Sequence, residues 1–132
     1  MEQVLCYFPD PADPLLSAVR RAALPLKLRV RTAPPELAGQ KLGLLLGRKG
    51  YESAASEEDP PDLPEPILVL DGFTGPRMDA LLRALARAKV PRSVLKAAVT
   101  AHNVDWTLAE LWTELNKERE ALERGEEPVH GA

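Results

Sequence analysis

The residues with chemistry to offer lie in two short stretches. Asp71, Gly72 and Phe73 follow the apolar run ILVL and lead into a helix through GFTGP. A carboxylate and two nearby glycines at a strand-to-helix turn are parts from which an anion site can be built. Backbone N–H groups point outward at the helix start, and glycine lets a ligand come close. The stretch is neither a GxGxxG nor a P-loop, and no Lys-Ser/Thr pair follows it. The plainer reading has Asp71 capping the turn. Thr100, His102, Asn103, Asp105 and Trp106 form the second polar and aromatic cluster. There His102 could act as a general base oriented by Asp105 or Asp71. The plainer account gives Asn103 or Asp105 the cap of the next helix and makes Trp106 its hydrophobic staple.

Other reactive side chains offer less. Cys6 lies inside an apolar run with no second thiol, so it reads as a buried hydrophobe rather than a nucleophile. His102 and His130 stand far apart without Cys/His spacing, which supplies no metal site, and no cofactor motif is present. Serines 17, 53, 56 and 93 lack a nucleophile-elbow context. Lys27, Arg29 and Arg31 make a basic stripe that Arg20, Arg21, Arg48 and Lys49 could extend toward a polyanion. No aromatic residues interleave with them for base stacking, which argues against nucleic acid.

These residues must be held by a repeated plan. A shift of 66 positions lays Leu15, Leu16, Val19, Ala22, Leu24 and Pro25 on Leu81, Leu82, Leu85, Ala88, Val90 and Pro91. Each run is an amphipathic helix ending at a proline. Each follows a short apolar strand, Val4 to Phe8 or Ile67 to Leu70, and precedes a second strand and a second helix. The expectation is β-α-β-α twice, through ancestral duplication. The first strand of each half is continuously apolar, as for a central strand covered on both faces. Leu26 to Arg31 alternates apolar and basic residues and fits one edge, and Val94 to Val99 fits the other. Thr74, Gly75 and Pro76 open the third helix, whose stripe is Met78, Leu81, Leu82 and Leu85, with Asp79 and Arg83 pairing outside. Thr107 and Glu110 make a capping box for the last helix, which presents Leu108, Leu111, Trp112, Leu115 and Leu122 on one face.

The predicted fold is α/β, a four-stranded and mainly parallel sheet of order 2-1-3-4 flanked by helices. A ferredoxin-like α+β sandwich with antiparallel centre strands is the alternative. In the parallel form a ligand site falls beyond the carboxyl ends of strands one and three. Residues 1–125 make a single domain: a first half at 1–50, an acidic, proline-rich linker at 51–66 that should be extended and mobile, and a second half at 67–125. Residues 126–132 read as a frayed tail.

The 132 residues are 45% hydrophobic, 28% charged and only 5% aromatic, which excludes collagen-like, wholly disordered and disulfide-scaffold classes. A net charge of −3 excludes a globally cationic binder. By segment the balance alternates, +4 over 1–50, −6 over 51–66, +4 over 67–99 and −5 over 100–132. One cysteine and no long apolar run point to a soluble cytoplasmic protein without a membrane partner or targeting segment.

Three stretches carry a resemblance: QKLGLLLGRKGYE at Gln40 to Glu52, ILVLDGF at Ile67 to Phe73, and AVTAHNVDW at Ala98 to Trp106. With the N-terminal βα unit they span nearly the whole chain, which resembles the bacterial domain-of-unknown-function family numbered 3783. The family pattern has a proline where this chain has Ala101 and a threonine where it has His102, so the loop after the fourth strand departs from it. The resemblance implies small size, a cytoplasmic bacterial setting and no catalytic residue.

The function expected is a non-enzymatic interaction or regulatory module. It binds a small ligand or a protein partner at the loops after strands three and four, through Asp71, Gly72, Phe73, Thr100, His102, Asn103 and Trp106. The alternatives are a small enzyme using His102 with Asp71 or Asp105, and polyanion binding by the basic face of the second strand. A homodimer is left open.

Overall fold

A computed structural model describes residues 2–53 and 61–125. Residues 54–60, the middle of the expected linker, and the expected tail at 126–132 lie outside the described residues. Four strands form one sheet: β1 (Gln3–Tyr7), β2 (Arg29–Ala33), β3 (Ile67–Asp71) and β4 (Leu95–Ala98). The helices are α1 (Leu15–Ala23), α2 (Leu42–Leu45), α3 (Gly75–Arg87) and α4 (Leu108–Glu123), with a single 3-10 turn at Pro35–Leu37. None of the described helices is long and apolar enough to cross a membrane.

The strand order is β2-β1-β3-β4, as the alternation of elements predicts. β1 runs parallel to β2, and β3 to β4, but β1 and β3 are antiparallel, with Gln3 opposite Asp71 and Tyr7 opposite Ile67. The sheet is therefore mixed. The antiparallel centre that accompanied the sandwich alternative is present, yet helices cover both faces and no two-layer sandwich forms.

Direction decides where the helices go. A parallel β-α-β connection is right-handed, and reversing the second unit in the sheet plane carries its helix to the same face as the first. Accordingly α1 and α3 share one face, packing Val19, Ala22, Leu81 and Leu85 on Val4, Cys6, Leu68 and Leu70. α2 and α4 share the other, packing Leu42, Leu46, Leu108 and Leu111 on Leu5, Tyr7, Ile67 and Val69. Successive side chains of β1 and β3 enter opposite cores, which is why residues 4–7 and 67–70 are apolar.

The two-fold relation extends to single hydrogen bonds. Leu42 N–H donates to Trp106 O and Leu108 N–H to Gln40 O, while Gly43 N–H donates to Val104 O and Ala109 N–H to Ala38 O. Each bond becomes its mate when the halves are exchanged by the same 66-residue shift.

Several local expectations need correction. β2 begins only at Arg29, because Lys27 takes a left-handed conformation (φ 57°) that ends the preceding turn. The second helix of the first half is a four-residue turn, where its counterpart α4 has sixteen. Leu82 is 41% exposed, outside the α3 stripe, and Leu122 is 59% exposed because α4 has passed the core by then. Among the described residues Arg83 forms no ion pair with Asp79.

Candidate functional site

Because β3 opposes β1, its carboxyl end lies beside the start of β1, not the end. The expected site beyond the carboxyl ends of strands one and three therefore does not exist as one place. At the rim where β3 ends, the neighbours of Asp71 are Gln3 and the first residues of β2.

That juxtaposition assembles a polar network at one end of the two central, otherwise apolar strands. Gln3 Nε2 donates to Asp71 Oδ2 at 2.8 Å and to Leu46 O at 3.1 Å, and Gln3 Oε1 accepts from Arg31 Nε at 2.6 Å. Arg48 Nη2 donates to the remaining carboxylate oxygen, Asp71 Oδ1, at 2.9 Å. Asp71 and Gln3 are both buried, so each would be costly without these partners. Gly47 closes the arrangement. Its φ of +77° turns the chain after α2 toward Arg48, and a Cβ there would come within 2.8 Å of Arg31 Nη2.

The network walls a cavity of about 460 Å³ lined by Arg29, Arg31, Arg48, Asp71, Gly72 and the buried Gln3 and Leu46. Three arginines line it against one carboxylate. The Arg29 side chain has no hydrogen-bond or ion-pair partner among the described residues, and Arg31 and Arg48 each offer further N–H groups beyond the bonds to Gln3 and Asp71. An excess of arginine in a concave, part-buried setting is suited to a small oxyanion, which guanidinium grips through paired N–H donors.

Of the candidate residues, Asp71 and Gly72 line this cavity. Asp71 does not cap α3, whose N-cap is Thr74 without a side-chain bond. Phe73 packs into the α1/α3 core. The loop after β4 ends on the same rim, but its polar groups are satisfied internally. Thr100 N–H donates to Asn103 Oδ1, Asn103 N–H to Thr100 Oγ1, and Asn103 Nδ2 to Ala98 O, at 2.8 to 3.0 Å. Thr107, not Asn103 or Asp105, caps α4, in the capping box with Glu110. His102 is exposed, its ring edge-on to Trp106 at 5.3 Å. No hydrogen bond joins the His102 ring to Asp71 or Asp105 among the described residues; Asp105 Oδ1 accepts from Tyr51 Oη at 2.5 Å, which pushes the Tyr51 hydroxyl above its ordinary pKa. Those two residues border a wider hollow of about 780 Å³ in which Lys41 is balanced by Glu52 and Asp105.

The basic stripe divides. Arg29, Arg31 and Arg48 meet at the cavity, Arg21 lies between α1 and α3, and Arg20 stands near Cys6 at the opposite rim. Cys6 is buried, and desolvation pushes its thiol up to about 12, so it stays protonated and inert at neutral pH. Gln3 and Leu46 are site residues that residue-type reasoning passed over. The available signal was a glutamine opening a strand that is otherwise apolar.

The fold and this rim define a three-layer α/β domain with an arginine-lined pocket where β3 ends. Residues 66–122, which hold β3, α3, β4 and nearly all of α4, match the family model described as Domain of unknown function (DUF3783). The match takes in ILVLDGF and AVTAHNVDW and leaves QKLGLLLGRKGYE outside. No curated protein and no solved structure matches the chain.

Proposed function

We propose that the domain is a non-enzymatic binding module that takes a small oxyanion, a phosphate ester or a carboxylate, in the pocket formed by Arg29, Arg31 and Arg48. The observation that carries this reading is the convergence of three arginines on one cavity with a single carboxylate opposing them. Asp71 and Gln3 act as positioning groups, fixing Arg48 and Arg31 so that little side-chain freedom is lost on binding. The cavity volume of about 460 Å³ falls within the range of small-ligand sites. We place the module in the cytoplasm, on the strength of a lone buried thiol.

Calorimetric titration at low ionic strength with inorganic phosphate, pyrophosphate and citrate tests the proposal and separates the two anion classes. Binding should weaken about tenfold or more in Arg29→Ala and in Arg48→Ala, a loss of about 1.4 kcal/mol or above. Arg92→Ala, on the exposed turn before β4, should bind as the wild type does. Absence of heat and of thermal stabilisation with all three anions would overturn the reading.

We infer also that the halves are copies of one βαβα unit. The supports are the 66-residue hydrophobic register and the interchangeable hydrogen bonds between the α2 and α4 starts.

A further inference from the structure

The layer formed by α1 and α3 carries a feature that the anion pocket leaves unexplained. Between these helices runs an open groove of about 450 Å³. Ala22 of α1 and Ala80, Ala84 and Ala88 along α3 form its floor. Four-residue steps stack on one helix face, so a floor of small side chains extends for about 12 Å, a little over two turns. Arg21, Arg83 and Arg87 border it, all exposed and none with a side-chain hydrogen bond or ion pair among the described residues. Leu24, 79% exposed, ends α1 next to Pro25 of the groove wall.

The opposite layer presents the complement. α4 buries Leu108 and Leu111, half-buries Trp112 and Leu115, and buries nothing in its last two turns. Its apolar stripe nevertheless continues to Leu122, one turn beyond Glu118 and next to Glu123. An exposed leucine flanked by carboxylates on a projecting helix end fits a shallow alanine floor rimmed by guanidinium groups. We propose that the α1/α3 groove receives the last two turns of α4 from a second copy of this chain, with Leu122 on the alanines and Glu118 and Glu123 facing the arginines. Groove and helix end occupy opposite layers, so no chain can fill its own groove, and the contact is head-to-tail. Such contacts close into rings or propagate. The contact is small, so association should depend on concentration and salt.

The full chain should show growth in mass on sedimentation from micromolar to millimolar concentration at low salt, suppressed by about 0.5 M salt. Arg83→Glu with Arg87→Glu should abolish it, as should Glu118→Arg with Glu123→Arg. Mixing these two folded variants should restore it, because each reversed groove then meets a reversed helix. Circular dichroism confirms that each variant folds. A wild type that stays monomeric, or association that neither reversal disturbs or that mixing does not restore, would overturn the proposal. The anion pocket takes no part, so this result is independent of its titration.

Discussion

A single glutamine holds the rim together. Gln3 is donor to Asp71 and to Leu46 O and acceptor from Arg31, so its amide joins β1, β2, β3 and the turn after α2. Gln3→Ala would leave a buried carbonyl and a buried carboxylate short of a donor, and should cost about 1–3 kcal/mol in urea unfolding. Arg92→Ala, with no such partners, should stay within about 0.5 kcal/mol of the wild type. Asp71 stands out in the sequence as a carboxylate ending an apolar strand, although capping is the plainer reading of it there. Its partners do not. Gln3, Arg31 and Arg48 lie 68, 40 and 23 positions away, and only the reversal of β3 brings them within reach. His102 and Asp105 show the converse: residue types suited to proton transfer, given other partners by the loop.

Each helix of the second half is fastened by an arginine. Arg77 Nε and Nη2 donate to Glu2, and Arg77 Nη2 also to Leu26 O at 2.7 Å, tying α3 to the strand starts. Arg119 grips Glu65 through both terminal nitrogens at 2.7 and 2.8 Å, and Trp112 Nε1 adds a third bond, tying α4 to the segment before β3. The Arg119 guanidinium, with help from Trp112, holds the Glu65 carboxyl below the usual carboxylate range. A carboxylate depressed in the folded state favours folding at pH values above its unfolded pKa, and that contribution fades as pH falls through the folded pKa. The melting temperature should therefore drop as pH falls below about 5, and Glu65→Gln should flatten that part of the profile while lowering stability at neutral pH. The elements themselves were largely readable. Continuous apolar runs gave β1 and β3, and the Thr107/Glu110 box gave the start of α4. The four-residue α2 was less so, since Leu42 to Leu46 is apolar enough for several structures and is set by hydrogen bonds from the distant loop at Val104 and Trp106.

At the scale of the molecule the halves share one sheet and two cores, and neither core belongs to one half. The α1/α3 core joins Val4 and Val19 to Leu68 and Leu81, and the α2/α4 core joins Leu5 and Leu42 to Val69 and Leu108. Unfolding should therefore be a single transition. Both tryptophans, Trp106 and Trp112, report on the second half, so tryptophan fluorescence and far-ultraviolet circular dichroism should give coincident curves. Leu5→Ala, in the first half, should shift both by about 2–5 kcal/mol. A fluorescence curve unmoved by Leu5→Ala would mean that the halves unfold separately. Strand order followed from the alternation of elements, but strand direction did not, because apolar strands covered on both faces read the same either way.

Exchanging the halves carries Gln3, which starts β1 opposite Asp71, to Ile67, which starts β3 opposite Tyr7, and the 66-residue shift carries Arg29, Arg31 and Arg48 to Leu95, Ala97 and Glu114. The equivalent place, where β1 ends beside the starts of β3 and β4, accordingly has no second set of arginines at those positions. A scaffold with two equivalent ends has thus become polar in the vectorial sense, with a front and a back. On the proposed reading the anion seat lies at one end, so a ligand held there meets the molecule in a single orientation.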